Sequence, residues 1–179
     1  MSSPRGKEDV RSALIEAAAE LYAHEAAPSV RAIAARAGVN HGLVHRHFGD
    51  KEGLRRATME ALSEAIAADM PDAEEATALS FDELLARAFF ATKKHERFLR
   101  VLLRAYLDGE IPPVLSRTFP VVQSLITAGE ARGVDGAREL VAERVAAGLG
   151  WLLFEPFIRQ AAGLGDGEPA FLSELDIDG

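Results

Sequence analysis

The sequence predicts an all-α fold, and three observations carry that prediction. Apolar residues recur three and four apart through most of the chain, period-2 alternation is absent, and alanine, leucine, glutamate and arginine dominate. Gly, Pro, Asp and Asn fall between the apolar stripes, where helices should start and stop.

A polar arm of eight or nine residues comes first. Val10, Leu14, Ala17, Ala18, Leu21 and Tyr22 then form one stripe, which predicts an amphipathic helix ending before Pro28. Ser29 is a natural N-cap for a short second helix through Val30, Ile33, Ala34 and Ala37, closed by Gly38. Asn40 caps a short third helix that ends at Phe48-Gly49. Asp50 caps a longer fourth through Leu54, Met59, Leu62 and Ile66, and Pro71 closes it. A fifth should run from Phe81 to about Ala91 on Phe81, Leu84, Leu85, Ala88 and Phe89. The next holds Phe98, Leu102, Leu103 and Tyr106 and breaks at Asp108-Gly109 and Pro112-Pro113. Pro120 suits the first position of a helix ending at Gly133. A long apolar helix follows, from about Gly136 to Ala162, which Pro156 should kink or split. A short helix from Glu168 to Leu175 is expected last.

Composition excludes several classes. No cysteine is present, so disulfides and thiolate chemistry are out. Charged residues punctuate Met1 to Glu25, leaving no apolar run for a signal peptide. Val145 to Phe154, the most apolar stretch, falls short of the roughly 18 residues a membrane span needs. A cytoplasmic protein without membrane contact is expected. The net charge of −8 argues against nucleic acid, but it is unevenly spread. Residues 1–56 carry nine Lys/Arg against seven Asp/Glu, and the rest carries eleven against twenty-one. Such asymmetry suits a DNA-facing head on an acidic body.

The most informative segment is Ser29 to Leu54, SVRAIAARAGVNHGLVHRHFGDKEGL. Two short helices joined through Gly38-Val39-Asn40 suit a helix-turn-helix, in which a tight turn containing Gly sets the helices roughly perpendicular. Val44 and Phe48 share a face four apart, and Val39 joins them from the turn. That leaves His41, Gly42, Leu43, His45 and His47 outward or flanking, beside Arg46 and Lys51, as expected of a helix that reads a groove.

These residues closely resemble the DNA-binding head of the TetR family of bacterial regulators. The match includes Ile33-Ala34, Ala37-Gly38-Val39, Gly42, His45-Arg46-His47-Phe48, Lys51-Glu52 and Leu54, with Ala17-Ala18 and Leu21-Tyr22 upstream. The resemblance covers about the first 55 residues. It implies a head over residues 1–54 and a helical effector-binding and dimerisation domain over 55–179. It further implies a homodimer on a near-palindromic, double-stranded operator, acting as a repressor released by a small effector, and no enzyme. Carried over, it places Arg31 at a base edge or phosphate. Asn40, His41, Gly42 and Leu43 fall at the start of the recognition helix, and Gly42 allows close backbone approach. His47 and Lys51 fall at phosphates. His45 stands where the family usually has tyrosine and Leu43 where serine or threonine is common, so familiar hydroxyl contacts are missing.

The C-terminal aromatics suit a helical core, but they can also line an apolar cavity between helices. In the resembled family that domain binds a small, often hydrophobic molecule. Phe98, Tyr106, Val122, Trp151 and Phe154 are the candidate lining here. The family's last two helices form a four-helix bundle across a two-fold axis, which makes Leu149, Leu152, Leu153 and Phe157 the candidate interface. No cofactor or metal is expected. His41 and His45 are spaced as a zinc pair, but no cysteine, no HExxH and no suitable carboxylate completes the sphere. Two other classes remain open: a histidine-cluster metal protein, and a helical scaffold that has lost DNA binding, which the acidic balance favours.

Overall fold

The computed structural model describes residues 6–25, 27–108 and 119–166, and among these the regular structure is entirely α-helical. Helix α1 (Lys7–His24) opens with the Asp9 carboxylate accepting the Gly6 N–H at 3.1 Å. Glu8 and Asp9 place negative charge at the positive end of its dipole. Helix α2 (Val30–Ala37) starts where the Ser29 hydroxyl accepts the Ala32 N–H at 3.1 Å. It stops at Gly38, whose φ of 67° lets the Val39 N–H return to the Ala34 carbonyl at 2.9 Å. Helices α3 (Gly42–Phe48) and α4 (Lys51–Ala68) follow, close to the bounds the caps predict.

Helix α5 (Ala73–Ala78) is absent from the sequence-based expectation. None of its six residues is buried, so no apolar stripe announces it. Its legible signal is the cap: Asp72 accepts the N–H groups of Glu74 and Glu75 at 2.9 Å each, and both glutamates sit in the first turn. Helix α6 (Phe81–Lys94) starts at a reciprocal cap. The Ser80 hydroxyl accepts the Glu83 N–H at 3.2 Å, and the Glu83 carboxylate accepts the Ser80 N–H at 2.5 Å. Hydrogen bonds to the carboxyl from the Ser80 side chain and backbone hold it below its ordinary range. Helix α7 is Glu96–Leu107, and α8 (Pro120–Ala131) carries Pro120 in its first turn.

Helix α9 (Ala137–Ala162) runs unbroken past Pro156, so of the two expected outcomes the split does not occur. Proline has no N–H to give the Leu152 carbonyl. Pro156 is exposed, and water can satisfy such a group. The expected breaks at Gly109 and Pro112-Pro113 and the expected helix from Glu168 to Leu175 lie outside the described residues.

By packing, the described residues sort into two units, a division of contacts and not of function. In the first, residues up to 65 join those from 96 to 108, and α1 packs on both α2 and α7. Leu14, Ile33, Val44, Leu54, Met59, Phe98 and Val101 fill its core. Tyr22 is buried there too, and its hydroxyl finds no hydrogen-bond partner. Burial pushes its phenol up to about 12, against the opposing influence of the Arg55 guanidinium.

In the second unit, residues 66–95 join those from 119 onward, with α6 packed on α8 and α9. Leu84, Leu85, Phe89, Leu125, Val141 and Trp151 are buried. Gly129 permits the close approach of α8, since a Cβ there would lie 3.0 Å from both the Phe81 ring and the Ala137 Cβ. Asp69, just past α4, accepts Lys94 Nζ at 2.9 Å and His95 Nε2 at 2.6 Å, and these bonds hold its carboxyl below the usual range.

Candidate nucleic-acid interface

The turn between α2 and α3 is built from short-range hydrogen bonds. Asn40 Oδ1 accepts the Gly42 N–H at 2.8 Å. The Leu43 N–H reaches the Asn40 carbonyl at 3.0 Å, and the Val44 N–H reaches the His41 carbonyl at 3.1 Å. These three-residue spacings tighten the first turn of α3, as 3₁₀ geometry does at helix ends. Asn40 therefore acts on the turn, as its residue type predicts.

Only Val44 of α3 is fully buried. Leu43, His47 and Phe48 are half-buried, while His41, Gly42, His45 and Arg46 are exposed. The inward face is therefore narrower than the Val44–Phe48 spacing suggests. Phe48 is covered in part by charge, with the Arg11 guanidinium 5.6 Å from its ring centroid. The His47 ring lies tilted 6.1 Å from the same ring.

At the far end of α3, Gly49 adopts φ 81° and ψ −58°. Its N–H donates to the His45 carbonyl at 3.0 Å, and its own carbonyl meets His45 Nδ1 at 2.9 Å. Asp50 Oδ1 accepts the Gly53 N–H at 2.7 Å, so that carboxylate is committed to the start of α4. Gly53 is buried where a Cβ would land on the Phe48 carbonyl oxygen. Its role was missed in the sequence reading. A glycine inside a first helical turn, where its flexibility is costly, was the available signal.

Two cations of the head are committed to carboxylates. Arg36 pairs with Glu20 at 2.5 Å, and Arg55 is buried with Nη2 on Glu52 at 2.8 Å. Arg31, in the first turn of α2, and Arg46 are exposed, and Lys51 is half-buried at the start of α4. These three make no ion pair among the described residues. Arg46 is absent from the residues assigned to DNA from sequence, although its place on the exposed side of α3 makes it a candidate.

The candidate body residues are drawn from both units. Phe98 and Tyr106 belong to the first unit, where Phe98 is wholly buried and Tyr106 is 66% exposed. Val122, Trp151 and Phe154 belong to the second: half-buried, buried beneath the Arg159 guanidinium, and exposed, respectively. Leu149, Leu152 and Leu153 are half-buried along α9, and Phe157 is 71% exposed. Among the described residues, no group of three or more His, Cys, Asp or Glu stands together as a metal site. Nor is any helix there long and apolar enough to cross a membrane.

Residues 14–66 match the family described as bacterial regulatory proteins, tetR family. The chain is 40% identical over 165 residues to the HTH-type transcriptional repressor Rv3405c of Mycobacterium tuberculosis, covering 90% of this chain and 81% of the relative. The HTH-type transcriptional regulator Mb3439c of Mycobacterium bovis matches to the same extent. A solved TetR-like transcriptional regulator from Rhodococcus sp. RHA1 superposes with a TM-score of 0.57 at 22% identity, over 98% of this chain and 94% of that one, and so shares its fold. The turn geometry of α2 and α3, the matched segment and the near full-length relatives agree: this chain belongs to the TetR family of helix-turn-helix transcriptional regulators.

Proposed function

We propose that the chain is a cytoplasmic repressor that binds a near-palindromic operator as a homodimer and leaves it when a small, apolar effector is bound. Residues 1–54 read DNA in this reading, and residues 55–179 serve pairing and the effector. The observation that carries it is the face of α3. One buried valine anchors a helix whose remaining surface offers His41, Gly42, Leu43, His45 and Arg46, flanked by Arg31, His47 and Lys51. Two such helices about one DNA turn apart enter successive major grooves. The half-buried leucines of α9 and the exposed Phe157 supply the surface for a second copy. For the effector, Trp151 and Phe154 with Val122 offer aromatic and aliphatic surface in the second unit; in the first, Tyr106 is exposed while Phe98 is taken up by the core. An effector favouring another separation of the two heads shifts the population from the DNA-competent form.

Gel-shift assays with the DNA upstream of the protein's own coding region test the reading. Lys51→Ala should weaken binding to every sequence and shallow the salt dependence by about one unit per head, as loss of one phosphate contact does. Arg31→Ala should cost ~1–3 kcal/mol and relax discrimination at one base. Equal losses by both variants on specific and random DNA would refute this division of roles. No binding at all would favour a scaffold, in keeping with the acidic charge balance.

A further inference from the structure

His45 does not sit on α3 as a free imidazole. Its Nδ1 lies 2.9 Å from the Gly49 carbonyl oxygen, which can only accept a hydrogen bond, so Nδ1 must carry the hydrogen. A neutral imidazole has one N–H, and once Nδ1 takes it, Nε2 is a bare acceptor. The lock is double. The Gly49 N–H returns to the His45 carbonyl at 3.0 Å, and a φ of 81°, open to glycine, lets both groups of Gly49 face the same residue. Meanwhile His45 is exposed, about 100° around α3 from buried Val44, and its Nε2 has no hydrogen bond among the described residues.

We propose that His45 is a specificity residue of the operator contact, whose outward Nε2 accepts an amino hydrogen from a base edge, adenine N6 or cytosine N4. These are the donors the bases present in the major groove, whereas guanine offers only acceptors there and thymine an acceptor and a methyl. This rests on α3 as the reading helix and deepens that reading. A tyrosine hydroxyl in this place donates as readily as it accepts. The locked imidazole only accepts, so it discriminates where a hydroxyl tolerates.

The charged and titratable groups around His45 are His41 four residues before it, Arg46 and His47 beside it, and Asp50, Lys51 and Glu52 at the start of α4; Arg31 and Arg36 stand on α2. Asp50 is turned to the Gly53 N–H and Arg36 to Glu20. Acid opposes the His45 contact, because a protonated Nε2 offers a hydrogen where the base amino group offers another.

The test has two arms, both with the full-length protein at pH 8. Long-range ¹H–¹⁵N NMR of the free protein, with His45→Gln to assign the signal, should show His45 protonated on Nδ1 and bare at Nε2. Single-base variants of the bound upstream fragment should show one position per half-site where adenine or cytosine is preferred by about five- to tenfold, the lower end of what one base contact carries. His45→Leu should flatten that position alone, and His45→Arg should move it to guanine. A hydrogen on Nε2 in the free protein overturns the proposal, as does His45→Leu with every base preference intact. Binding with no sequence preference at all overturns both this proposal and the operator reading beneath it.

Discussion

Phe98→Ala should destabilise the protein by about 3–5 kcal/mol, the range for emptying a buried phenylalanine site whose surroundings relax only in part. Phe98 has no solvent exposure and is the largest of the fully buried side chains among the described residues. It projects from α7, which packs on α1, and α1 in turn packs on α2 of the helix-turn-helix. Marginal stability makes that loss severe, since whole domains hold about 5–15 kcal/mol. Urea denaturation followed by circular dichroism reads it, and Tyr106→Ala on the same helix is the control. Tyr106 is mostly exposed, so its loss should change stability by only about 0.5 kcal/mol. A Phe98→Ala loss below about 1 kcal/mol would sink the core placement and return Phe98 to the candidates for lining an open pocket.

Phe98 also shows where sequence reading stops. Its helical spacing with Leu102 and Tyr106 announced a helix, and the helix is there. Spacing says nothing of which distant helix a stripe will meet. Apolar character and family resemblance group Phe98 and Tyr106 with Val122, Trp151 and Phe154, while packing sorts the two sets into different units. Local chemistry was far more legible. Ser29, Gly38, Asp50 and Pro120 each act within three or four residues of themselves and stand at the helix ends their residue types predict, whereas Asn40, expected to cap α3, lies one residue before its N-cap His41 and acts on the turn. Helix α5 escaped because only its cap spoke for it, without a stripe. On the interface, the exposed run of α3 was readable from Val44. The His45–Gly49 lock was not, because it depends on a glycine conformation that no pattern of apolar residues encodes.

Val44→Asp should abolish sequence-specific binding while leaving most of the helix content in place. Val44 has no solvent exposure and is the single buried side chain of a seven-residue helix. A carboxylate there has no partner, and burying an unpaired charge costs more than a helix this short can withstand. The cheaper response is for α3 to leave its seat and carry the aspartate into water. The rest of the unit keeps Leu14, Ile33, Met59 and Phe98, so the damage should stay local. Three readouts separate this from global unfolding. Circular dichroism should lose only the signal of about two helical turns. Hydrogen exchange should quicken in residues 42–48 before α1. Binding to the upstream DNA should fall at least 100-fold while weak, salt-sensitive binding to random DNA persists, because Arg31 and Lys51 stand on α2 and α4 and do not depend on α3 for their charge. Retained discrimination between operator and random DNA in Val44→Asp would mean that the reading face is not on α3.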